Sequence, residues 1–80
     1  MITKTILGQL IIEALESNSG SASIVKICQY IWQNYESDLR DSGNLFYTWQ
    51  YDLRWASQLL CKEGIIKKLP QGRMSIWKLC

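Results

Sequence analysis

The stretch "KEGIIKKLPQGRMSIWKL", residues 62–79, decides how the chain is read. Gly64 follows a run with helical apolar spacing, and glycine occupies the left-handed position that ends a helix without strain. From there the apolar period shortens from helical to extended. "IIKKL" and "MSIWKL" are rich in β-branched and aromatic residues, which suit a pleated surface. Pro70-Gln71-Gly72 between them is turn chemistry: proline presets φ, and glycine accepts positive φ. The expectation is a basic hairpin with strands at residues 66–69 and 74–79, directly behind a helix.

That helix is expected from Thr48, a plausible N-cap, to Glu63, with Asp52 near the positive end of its dipole. Trp49, Leu53, Ala56, Leu59 and Leu60 share one face, and Gln50, Tyr51, Arg54, Ser57, Gln58, Cys61 and Lys62 the other, with Trp55 at the border. Further back, Leu7, Leu10, Ile11, Ala14 and Leu15 mark a first helix over residues 3–16, which "ESNSGSAS" interrupts. Ser23 is a natural cap for a second helix, whose buried stripe holds Ile24, Ile27, Cys28, Ile31 and Tyr35. The second helix can fray into the polar "ESDLRDSGN", Gly43-Asn44 is expected as loop, and the connection is expected to be longer than the tight turn of the simplest helix-turn-helix proteins. Ser21-Ala22 is short enough to add a third edge to the hairpin.

The 80 residues make one domain. No apolar run approaches the ~18–20 residues of a bilayer span. Gln9 and Glu13 interrupt the only stretch that resembles a secretory leader, so a cytoplasmic, non-membrane protein is expected. Three widely spaced cysteines (Cys28, Cys61, Cys80) and no histidine argue for free thiols and against a metal or cofactor site. There are no paired carboxylates with a following lysine, so enzymatic activity is not expected. The net charge of +2 conceals a division. Residues 1–53 hold three bases and six acids, whereas residues 54–80 hold six bases and one acid, a local excess of +5. Such polarity suits an anionic partner.

Three helices followed by a basic hairpin is the order of a winged helix-turn-helix, an α+β fold. "RWASQLLCKEGII" and "GRMSIWKL" resemble the N-terminal domain of Mrr-type restriction endonucleases. The resemblance rests on Trp55, Ala56, Leu60, Gly64, Ile65, Ile66, Gly72, Arg73, Ile76, Trp77 and Leu79. It covers the C-terminal half; the first half agrees in element order, including the long link after the second helix. It implies a DNA-binding module standing without its cutting domain, with Trp55 in the core.

The expected partner is double-stranded DNA. Arg54 suits guanine, and Gln50 or Gln58 suits adenine; Ser57 and Lys62 lie on the same outer face. Lys67, Lys68, Arg73 and Lys78 on the wing would meet phosphates, although lysines also protect an edge strand from aggregation. The alternative is a protein-interaction or homodimerisation module of a restriction or mobile-element system, using Ile12 beside Gly8 and Thr5. Stacking on unpaired bases is a weaker expectation, because most aromatics are assigned to the core and only Tyr30 and Tyr51 to the surface.

Overall fold

A computed structural model of the chain describes residues 2–71 and 74–80. It is a small α+β domain with the order α1 (Lys4–Ser17), β1 (Ser21–Ser23), α2 (Ile24–Arg40), α3 (Leu45–Lys62), β2 (Ile66–Gln71) and β3 (Met74–Leu79). The three strands form an antiparallel sheet in the order β1-β3-β2. The short Ser21–Ser23 segment pairs with β3 of the hairpin, as the expected third edge.

The termini of the helices follow from local chemistry. Thr3 caps α1 by accepting from the Ile6 N–H, and Ser23 caps α2 by accepting from the Lys26 N–H. At the end of α3 the Ile65 N–H donates to the Leu60 carbonyl and the Gly64 N–H to that of Cys61, with Gly64 at φ +78°. This paired closure, with a left-handed residue between, reverses the chain into β2.

Two expectations are corrected here. The connection between α2 and α3 is short, residues 41–44, because α2 continues through "ESDLR" to Arg40. Arg40 donates to Glu36 at 2.9 Å and lies over the rings of Trp32 and Phe46, which holds the last turn of α2 in place. α3 also starts at Leu45, one turn before Thr48. Leu45 and Phe46 pack against the core, so the helix extends to include them. Thr48 is inside the helix, and its hydroxyl donates to Asp52 at 2.8 Å instead of capping.

The core lies between the helices and one face of the sheet. Leu7, Leu10, Ile11, Ala14 and Leu15 of α1 meet Ile27, Ile31 and Leu39 of α2 and Trp49, Leu53, Ala56 and Leu60 of α3. Ile66 and Trp77 close it from the sheet. Pro70 and Gln71 belong to β2, not to the turn, since they pair with Ser75 and Met74. β2 is an edge strand, where a proline without an N–H is tolerated. The expected turn residue Gly72 and the wing-tip Arg73 lie outside the described residues.

Gly8 is buried in the middle of α1, and a Cβ there would meet Leu60 Cδ2 at 3.9 Å, an ordinary contact. Gly8→Ala is expected to stabilise the fold by about 0.4–1 kcal/mol, through lower unfolded-state entropy and higher helix propensity. A loss of stability in urea titration would show that α1 and α3 pack more closely than this. Leu60→Ala should cost about 2–5 kcal/mol, and Leu59→Ala less than about 1 kcal/mol because Leu59 is 41% exposed. Equal costs would mean that α3 is rotated.

Candidate nucleic-acid interface

The burial of Trp49, Asp52, Leu53, Ala56, Ser57 and Leu60 fixes the rotation of α3. Two strips are left facing outward. Gln50, Arg54 and Gln58 form one at four-residue steps, and all three are exposed. Tyr47, Tyr51, Trp55 and Leu59 form the other, at 83%, 77%, 49% and 41% exposure.

This arrangement corrects three assignments. Ser57 is fully buried and not part of any outer face. Its hydroxyl donates to the Arg54 carbonyl at 2.6 Å, which satisfies the polar group and permits burial. Trp55, expected in the core, is half exposed beneath the Lys4 ammonium, 5.5 Å from the ring centroid. Lys4 also reaches the buried Asp52 carboxylate at 3.7 Å, so it bridges the start of α1 to α3. Leu59 turns outward while Leu60 takes the inward position.

The first strip borders a groove of about 450 Å³. Ile24 and Val25 at the start of α2 form one wall, Arg54 and Gln58 another, and Lys68, Ser75 and Trp77 of the hairpin the third. The groove continues past Cys28, Gln29 and Gln50. No carboxylate is among the described residues that line either part. Burial pushes the Cys28 thiol up from its ordinary range, against the pull of the nearby Arg54 cation, so it stays protonated and unreactive at neutral pH.

Strand register divides the wing lysines. Lys68 is opposite Trp77, on the face that packs against the helices, and its ammonium lies 5.0 Å from the Trp77 ring centroid. The ring holds that charge at the groove by cation–π attraction. Lys67 and Lys78 are opposite each other one step away, hence on the outer face of the sheet. Two like charges so paired are mildly repulsive and remain in water. Lys62 is exposed at the last turn of α3. Of the nine expected contact residues, the structure therefore brings Arg54, Gln58 and Lys68 to one groove, with Gln50 along its extension, and separates Lys67 and Lys78 from it. Arg73 lies outside the described residues.

Further features were not anticipated from sequence. Tyr47 is the most exposed aromatic, and its place in a Tyr-x-x-x-Tyr-x-x-x-Trp-x-x-x-Leu repeat is a signal the apolar wheel passes over. Trp32 stacks on Trp49 with rings 6.4 Å apart and 9° between planes. Tyr30, expected at the surface, is half-buried and donates to Glu13 at 2.9 Å. Tyr35 donates to the same carboxylate at 2.6 and 2.8 Å. Tyr35 also breaks the helical geometry of α2, at φ −132° and ψ 20°. One carboxylate on α1 thus anchors two phenols on α2, across a bend.

No family model matches this chain, and neither a curated protein nor a solved structure matches it.

The Glu13 carboxylate holds both phenols in their neutral form, chiefly through the hydrogen bonds, and pushes Tyr35 up to about 12. An unfolded tyrosine loses its proton near pH 10. The stabilisation is therefore complete below about pH 10 and is lost as pH rises through about 12. Tyr35→Phe should lower the urea midpoint at pH 8 but give a shallower decline from pH 9.5 to 11.5 than the parent. Parallel declines would disprove the linkage.

Proposed function

We propose that the chain is a winged helix domain that binds double-stranded DNA, with α3 in the major groove and the hairpin against the phosphates. The observation that carries this reading is the groove, without a carboxylate among the described residues that line it, in which Arg54 and Gln58 of α3 face Lys68 and Ser75 of the hairpin. The order α1-β1-α2-α3-β2-β3, the β1-β3-β2 sheet and the four-residue link between α2 and α3 support it. An 18-residue helix is about 27 Å long, and the major groove, about 12 Å wide, admits one.

Roles follow from position. Arg54 and Gln58 have the donor and acceptor geometry to read base edges. Lys68, held by Trp77, is suited to neutralise a phosphate. Lys62 adds charge at the end of α3. The activity so proposed is binding without catalysis. The alternative protein-docking surface on α1 is less well supported, because Gly8 is buried beside Leu60 and Ile12 is half-buried.

Titration of labelled duplex at several salt concentrations tests this. The non-specific dissociation constant should be about 10⁻⁴–10⁻⁶ M at physiological salt, with a steep salt dependence. Lys68→Ala should weaken binding to every sequence and reduce the log–log salt slope by about 0.9. Arg54→Ala should cost about 1–3 kcal/mol at a preferred site and flatten sequence preference. Lys67→Ala, on the other face of the sheet, should change little. Absence of binding at low salt, or equal losses for Lys67→Ala and Lys68→Ala, would reject the proposed mode.

A further inference from the structure

The second strip of α3 is unexplained by duplex binding. Tyr47, Tyr51, Trp55 and Leu59 recur at every fourth residue, so their side chains follow one another along one side of the helix. Each step rises about 6 Å and the row runs about 18 Å. Large aromatics at 83%, 77% and 49% exposure are costly to leave in water when they serve no partner.

The charges around the row identify the class of that partner. Arg54 lies beside Tyr51 on the adjacent strip, Lys62 about two turns beyond Trp55, and the Lys4 ammonium 5.5 Å from the Trp55 centroid. Between Gln50 and Lys62 the one carboxylate, Asp52, is buried and engaged by Thr48 and Lys4, and the exposed Glu63 follows only past Leu59, at the far end from Tyr47 and Tyr51. A second copy of the chain is a poor occupant. The midpoint of the row falls between Tyr51 and Trp55, so any two-fold pairing through it brings Arg54 towards its own copy, and like charges juxtaposed in an interface cost several kcal/mol.

We propose that this row is a stacking platform for a single strand of DNA, with bases on Tyr47, Tyr51 and Trp55 and phosphates beside Arg54, Lys62 and Lys4. Every base has a π-face, so aromatic rows flanked by cations take single strands with little regard to sequence. Cations close to the rings add attraction to the same ligand. The inference goes beyond duplex binding and does not use Lys68 or the hairpin; Arg54 borders both the groove and the row.

The test uses the full chain and a short labelled oligothymidylate, followed by anisotropy at low salt and by tryptophan emission. Trp55 is the most exposed of the tryptophans, so stacking on it quenches emission. Tyr51→Ala is expected to weaken binding roughly 5- to 140-fold, the loss of one stacked base. Tyr51→Phe, which keeps the ring, should bind like the parent. Lys68→Ala should leave the oligothymidylate complex intact, so failure of the duplex reading and failure of this one are separable. Three results would overturn the proposal: no binding of oligothymidylate at low salt, equal affinity for the parent and Tyr51→Ala, or a self-association that Tyr51→Ala abolishes. Tyr51 is largely in water, so its replacement does not depend on core repacking; Tyr47→Ala provides the same test at the other end of the row.

Discussion

Trp77 is held from both sides. On β3, the central strand, it is opposite Ala22 of β1 and Lys68 of β2, and its ring is buried against the helices. Side chains alternate along a strand, so a slip of one residue would expose Trp77 and turn Ile76 or Lys78 inward. Neither substitute works: a lysine cannot be buried unpaired, and an isoleucine is too small to fill the space of an indole. The register of the sheet is thereby fixed, and with it the side on which each lysine of the hairpin emerges. Lys68 shares the inner face with Trp77 and reaches the groove; Lys67 and Lys78 do not. The charge pattern of the hairpin is a by-product of where one tryptophan has to go.

The same logic shows what could be read from the sequence. Helix, short strand, helix, helix and hairpin were legible because Thr3, Ser23 and Gly64 carry local end signals and because the apolar period changes after Gly64. The division of Lys67 from Lys68 was available from strand alternation, but a count of charges merges them. Ser57 was misplaced because a hydroxyl was read as a surface group; its bond to a carbonyl of its own helix hides it. Trp55 was misplaced because the family resemblance implied a core position where the helical wheel had put it at the border, and the Lys4 ammonium near its ring comes from a residue 51 positions away in sequence. The Glu13 cluster joins residues 17 and 22 apart on different helices, and no local spacing announces such a contact.

The two outward strips of α3 differ in what they ask of a ligand. Gln50, Arg54 and Gln58 offer directional hydrogen bonds, which would suit base edges presented in a fixed geometry, as in the proposed duplex. Tyr47, Tyr51 and Trp55 offer flat surfaces and are effective where bases are free to turn. Both strips share one helix, whose rotation is set by Leu53 and Ala56 on the buried side. A change in core packing that rotated α3 would therefore alter both surfaces together.

Ser23 is the last residue of β1 and also the cap of α2, so no loop separates the sheet from the helix. Its backbone pairs with Ile76 of β3 while its hydroxyl holds the first turn of α2, where Ile24 and Val25 begin. The wall of the groove built from α2 is thus welded to the strand that also carries Trp77 and Ser75. Moving that wall away from β3 would require breaking the β1–β3 ladder. A ligand of the proposed kind would meet a main chain already set at that wall, and little ordering entropy of the backbone there would oppose it. If the groove takes duplex DNA as proposed, released counterions would supply the drive.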